Sequence, residues 1–197
     1  MIHATKRAFA ARFLALMLAM ALAAAPAIEV FAAGSPTTVE TAPTTHEDAK
    51  AVVTTSGTGS VTGTADTATD GTATLTSITT TTEKTITVKS TVTVNGVAYK
   101  VTAVAANTFA NADSATKVTL PKTITNIESK AFSGAAKLTK IVLKSTKVPT
   151  VSTTAFKGVK TSKMVIYING YMSVKNIAKF KARLKAAGFK GTVKTWS

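Results

Sequence analysis

Few residues in this chain could do acid–base or covalent chemistry. Its 197 residues hold two histidines, His3 and His46, and no cysteine. His3 falls in an apolar N-terminal stretch and His46 in a Thr-rich one. Neither belongs to the part of the chain patterned to fold, which excludes a Ser–His–carboxylate arrangement there. Without cysteine there is no thiolate nucleophile, no Cys-ligated zinc and no redox pair. Beyond Thr91 the only carboxylates are Asp113 and Glu128, and Asp113 falls where a turn residue is expected. His46, Glu47 and Asp48 are too few for a metal site and read as a solvated turn. Asp66 and Asp70-Gly71 lack the spacing of a calcium loop. Gly57-Thr58-Gly59 has no strand and helix around it to make a phosphate loop. The expectation is a protein that is not an enzyme, with no catalytic, cofactor-binding or metal residues and no cofactor.

Lysine is the chemistry that remains. Lys117, Lys140 and Lys163 each stand one residue before the first apolar residue of a predicted strand, and Lys137, Lys160, Lys122 and Lys144 widen the set. If those strands stack, the first three form a column at the strand spacing of ~4.8 Å. Such a column repels itself unless salt or a polyanion screens it. Lys117, Lys140, Lys163, Lys137 and Lys160 are therefore the candidate ligand residues, with teichoic acid, an acidic glycan or nucleic acid as the polyanion. The bland reading is a solvated Lys face that keeps the fold soluble and blocks edge pairing.

What must position them is a repeat. Phe109, Phe132 and Phe156 recur after 23 and 24 residues. Eight residues before each stands Val101, Ile124 or Val148, and five before, Val104, Ile127 or Val151. Two after comes Asn111, Gly134 or Gly158, residue types that enter the left-handed region most easily. A short strand follows: Val118 and Leu120, then Ile141 and Leu143. In the third copy the apolar set slips by one, to Met164, Ile166 and Ile168. Units of this length with fixed apolar positions predict a solenoid, in which each coil buries its face on its neighbour.

The copies VTAVAANTFANADSATKVTLP, ITNIESKAFSGAAKLTKIVL and VPTVSTTAFKGVKTSKMVIYI resemble the BspA-like leucine-rich repeats of bacterial surface proteins. Ala131-Phe132-Ser133-Gly134, Leu138, Ile141 and Leu143 carry the pattern best, and Pro121 closes the first strand. The family's usual cysteine is replaced by Ala112, Ala135 and Val159, and its leucine by Ala115 in the first copy. The resemblance implies a right-handed leucine-rich-repeat solenoid of about three coils over 101–168. It also implies a protein that binds partners rather than doing chemistry.

The flanks divide by composition. Formal net charge is +15, unevenly spread: residues 34–83 hold Lys50 against six acids, and residues 114–197 hold 17 Lys or Arg against Glu128. Residues 1–32 read as a signal peptide, with Lys6, Arg7 and Arg12 before an apolar run and cleavage after Ala32 or near Ala25-Pro26-Ala27. An uncleaved anchor is the other reading, but the run is shorter than the ~20 residues that span a bilayer. Residues 33–71 read as a Thr-rich disordered linker. Residues 72–100 read as an N-terminal β cap, with Thr72–Ile78, Thr85–Val88 and a hairpin turning on Asn95-Gly96. In the segment 169–197, Ser173 caps a helix whose apolar face is Val174, Ile177, Phe180, Leu184 and Ala187. Gly188 ends it, and Thr192–Trp196 follows as a strand. This helix reads as a C-terminal cap; a membrane-surface or nucleic-acid helix is the alternative.

The sequence thus predicts a β-rich repeat solenoid, monomeric, secreted or loosely held at a bacterial surface, with no membrane span after signal cleavage. Its partners would be a host or bacterial surface protein or glycan, or an anionic cell-wall polymer. Nucleic acid is less favoured, because the stacking aromatics Tyr99, Tyr167, Tyr171 and Trp196 are sparse and most Phe are spent in the core.

Overall fold

Thr, Val and Ile alternate with smaller or polar residues along much of the chain, a pattern suited to pleated strands. The computed structural model describes residues 42–56 and 59–196; the expected signal peptide lies outside them. Within them the chain forms two sheets and one helix.

The first sheet begins antiparallel, with β1 (His46–Ser56) on β2 (Gly59–Thr67) and β2 on β3 (Thr72–Ile78). It continues parallel from β3 through β6 (Val97–Val104) and β8 (Asn126–Ile127) to β10 (Thr150–Val151). β5 (Thr91–Val94) folds back on β6. Asn95 and Gly96 both have positive φ, 51° and 84°, as a two-residue hairpin turn requires.

The second sheet is parallel throughout, in the order β12 (Thr192–Trp196), β11 (Val165–Asn169), β9 (Lys140–Leu143), β7 (Lys117–Leu120), β4 (Thr85–Thr87). Ile86, Val118, Leu120, Ile141, Leu143, Ile166 and Ile168 point inward and are buried. β4, expected in the N-terminal cap, instead pairs in register with β7 and continues this ladder.

The apolar repeat becomes a stack of rings. Phe109 lies on Phe132 at 5.4 Å between centroids, and Phe132 on Phe156 at 5.3 Å, with planes within 8° of parallel. Phe189 adds a fourth ring, 5.3 Å from Phe156 and tilted by 50°. Threonine adds a second repeated bond that the periodicity did not reveal. Thr116 Oγ1 donates to the Lys84 carbonyl, Thr139 Oγ1 to Thr116 and Thr125 Oγ1 to Thr102. Each hydroxyl thus ties one repeat to the repeat before it.

Three expectations need correction. The linker expected over 33–71 is not unstructured in its second half, where His46–Ser56 and Gly59–Thr67 are strands. Low complexity concealed an alternation of small and β-branched residues that buries Val61, Ala65 and Thr67. The amide of Thr44 donates to the hydroxyl of the fully buried Tyr99 at 2.9 Å, which fastens this segment to β6. Left-handed backbone follows the phenylalanine at Gly134 and Gly158 but is not adopted at Asn111, while Asn107 and Lys130, each two residues before a phenylalanine, share a second left-handed position. Asn111 instead donates from Nδ2 to the Ile78 carbonyl at 3.3 Å.

The third correction concerns the helix face. The helix α1 (Val174–Ala186) has its N-cap at Ser173, whose side chain accepts from the Asn176 amide. Phe180, Leu184 and Ala187 are buried and Ile177 packs against the core, but Val174 is 84% exposed. At the first helical position it projects beyond the packed face. Arg183 is drawn away from solvent, donating from Nη1 to the carbonyl of Pro149 at 2.6 Å and of Val148 at 3.3 Å.

Candidate ligand-binding face

Because strand residues alternate, the inward Val118, Ile141 and Ile166 leave the residues between them facing outward. Two rows cross the second sheet. The first runs Thr85, Lys117, Lys140, Val165, Thr192. The second runs Thr87, Thr119, Val142, Tyr167, Lys194, of which Thr119 is covered and buried. At the C-terminal strand ends, Asn169 pairs with Trp196, and Asn169 Nδ2 donates to the Lys144 carbonyl at 3.1 Å.

Lys117 and Lys140 are direct register partners, as the candidate column requires. Lys163 is not the third member. The partner of Lys140 on β11 is Val165, because the link from Phe156 to its strand is one residue longer than the link from Phe132. Lys163 is exposed two residues short of that row, in the turn closed by the Met164 amide on the Thr161 carbonyl. Lys137 and Lys160 are exposed in the turns before β9 and β11. The structure therefore brings together two of the candidate lysines and leaves the other three at the turns.

An aromatic ring occupies the place that periodicity assigned to charge. The ammonium of Lys140 sits 5.2 Å over the ring of Tyr167, drawn by the negative face of the π system. It leans toward β11, away from Lys117 on β7. Lys194 is the register partner of Tyr167 on the other side, so the ring lies between two lysine-bearing strands. Trp196 follows Lys194 by two residues on the same face. Sequence reasoning counted Tyr167 and Trp196 only as sparse aromatics; the one signal available was Trp196, two residues after Lys194, while the pairing of Tyr167 with Lys194 exists only across strands.

Acidic groups are scarce around this face. Residues 83–196 contain 20 Lys or Arg against Glu83, Asp113 and Glu128. Asp70, in the turn between β2 and β3, is held by fixed partners. The hydroxyl of Thr72 and then its amide donate to Oδ1 and hold this carboxyl below its ordinary value. A cleft of about 630 Å³ lies between His46, Glu47, Lys50 and the Asn95 turn. Among the described residues no three His, Cys, Asp or Glu converge as a metal site would need. His46 is engaged with the Thr44 hydroxyl. No helix among the described residues is long and apolar enough to cross a membrane.

Parallel strands repeated at 23 to 27 residues along the second sheet's later strands, with a phenylalanine in each unit packed on the ring of the unit before, define a leucine-rich-repeat class of protein. The model of the BspA type Leucine rich repeat region matches residues 83–196 in six copies. The chain belongs to this family. No curated protein and no solved structure matches it. The family match begins at β4 and runs through β12, so it takes in part of the expected N-terminal cap and the whole C-terminal segment.

Proposed function

We propose that this chain is an exported, non-catalytic binding module that holds an anionic polymer, an acidic glycan or teichoic acid, along the outward face of its second sheet. The observation that carries the reading is Tyr167, whose ring lies between Lys140 and Lys194 on a face that also bears Lys117 and Trp196. A sugar ring presents polarised C–H bonds that pack on an aromatic face, and its acidic substituents find ammonium groups on either side. Repetition of the strands gives such a ligand more than one foothold, which suits a chain of repeated units.

The family membership supports a repeat module of bacterial surface proteins, and the N-terminal charge-then-apolar pattern supports export. In this reading the repeats form a solenoid, with β1–β3 and the β5–β6 hairpin covering one end and α1 the other. Residues 33–43 then serve as a spacer. A host or bacterial surface protein is the second reading, favoured by Tyr171 and Val174, which are 86% and 84% exposed and three residues apart around the N-terminus of α1.

The test is binding of the purified chain to acidic glycans, teichoic acid, nucleic acid and neutral glycans at low and high salt. Selective binding of one acidic polymer that survives high salt and weakens in Tyr167→Ala supports the reading. Equal binding of every polyanion, abolished by salt, overturns it in favour of unspecific charge. Binding to a protein partner that is lost on changing Tyr171 and Val174 supports the second reading.

A further inference from the structure

A discrete cleft of about 440 Å³ opens at the C-terminal ends of β4 and β7, distinct from the Tyr167 platform. Lys89, Lys122 and Lys144 line it together with Ser90 and Thr91. Its origin lies in the register. Thr87 pairs with Thr119 and Leu120 with Leu143, so two residues beyond the first pair and one beyond the second the same register sets Pro121 between Lys89 on one side and Lys144 on the other. Pro121 is short and buried while the two lysines are exposed, which leaves a depression flanked by two long cations. Lys122 closes it from the chain segment that follows. No carboxylate is among the lining residues, so three lysines border one open cavity without a counter-charge in its wall.

We infer that this cleft is a binding site for a tetrahedral oxyanion, a phosphate or sulfate group. Three ammonium donors and the hydroxyls of Ser90 and Thr91 offer more hydrogen-bond donors than the two oxygens of a carboxylate can accept. A group with three or four acceptor oxygens and a charge between −1 (a sulfate ester) and about −2 (a phosphate) matches them in number and sign. Such a group relieves the mutual repulsion of the lysines, and the low-lying Pro121 lets it settle between them. The site deepens the proposed function by giving the polymer one anchored ester group. It rests on that reading only for the source of the anion, since the cleft would hold the free ion equally.

The experiment is a titration of the full chain followed by backbone amide NMR, first with inorganic phosphate, then with a sulfated oligosaccharide. Saturable shifts concentrated at Lys89, Ser90, Thr91, Lys122 and Lys144 are expected. The double variant Lys89→Gln/Lys144→Gln should weaken phosphate binding by about tenfold or more, whereas Tyr167→Ala should leave it unchanged. Tighter binding of the oligosaccharide than of phosphate assigns the cleft to a polymer-borne ester; the reverse assigns it to the free ion. Shifts that never saturate, that spread evenly over all lysine-bearing strands, or that persist in the double variant overturn the site. Loss of polymer binding in Tyr167→Ala with the phosphate shifts intact would separate the platform from the cleft. Phosphate shifts in a chain that binds no polymer would sink the proposed function and leave the cleft standing.

Discussion

Lys140 on β9 reaches diagonally across to Tyr167 on β11, whose register partner is Val142, and its ammonium lies 5.2 Å over the ring. The pair resolves a conflict created by the register, in which Lys117 and Lys140 are forced into adjacent places. A cation resting on an aromatic ring is already partly desolvated and fixed in position, so an incoming anion has less ordering left to impose. Replacing Tyr167 with Ala should weaken binding of an acidic glycan by roughly fivefold, equivalent to about 1 kcal/mol, and Tyr167→Phe should retain most of it. Lys163→Gln, off the row, should change the affinity less than Lys140→Gln does. Titration calorimetry at fixed salt measures all four. Equal effects of Lys163→Gln and Lys140→Gln would show that charge alone, not the row, governs binding.

The ring stack sets the strength of the core. Phe132 touches a ring on each side, at 5.4 and 5.3 Å, and is fully buried. Phe132→Ala removes both contacts and leaves a cavity in the middle of the stack, at a cost of about 3–5 kcal/mol. Phe189 has one ring neighbour, tilted rather than stacked, and is 8% exposed. Phe189→Ala should therefore cost less. Denaturant unfolding of the two variants, compared at equal slope, checks the order.

Much of this was legible from the sequence, and the misses share a physical cause. Phe109, Phe132 and Phe156 announce themselves because their spacing is nearly constant. Phe189 belongs to the same stack but follows 33 residues after Phe156, because α1 is inserted between them. Lys163 was misplaced for a related reason: one extra residue before β11 moves the outward slot to Val165, and counting from a pattern cannot see which side of the strand absorbs it. β1 and β2 were missed because composition alone argues for disorder there. Their burial depends on pairing with β3 and on Tyr99, which lies 55 residues from Thr44. The basic character of the candidate face was legible in the lysines, but its aromatic centre was not, since Tyr167 acquires meaning only from the strands on either side.

Asp70 should give the turn between β2 and β3 a pH dependence. Donation from Thr72 favours the ionised carboxylate and holds the folded titration below the unfolded one. The contribution is therefore full above the unfolded value and is lost as pH falls through the folded one. Between about pH 6 and about pH 2 the melting temperature of the native chain should fall more than that of Asp70→Asn. The difference should be small, because the group is exposed and its partners are local. Thermal melts of both chains across that range check the sign; a larger fall in the variant would contradict it.

Gly134 and Gly96 share nearly the same backbone, with φ of 90° and 84°, but not the same surroundings. A Cβ at Gly134 would fall 2.6 Å from the Cα of Ala110 and still closer to its carbonyl oxygen, whereas a Cβ at Gly96 meets nothing within 4 Å. Alanine at position 96 therefore bears only the left-handed penalty of about 1–2 kcal/mol. Alanine at 134 bears that penalty and must also push apart the turns of two successive repeats, which are held at this distance by the stacked rings of Phe109 and Phe132. Gly134→Ala should cost clearly more than Gly96→Ala. The excess should shrink when Phe132 is also changed to Leu, because a looser stack lets the turns separate. Denaturant unfolding of the two single variants and the Gly134→Ala/Phe132→Leu double variant measures this coupling. Equal costs for Gly134→Ala and Gly96→Ala would mean that the repeats are not held in close contact at this turn.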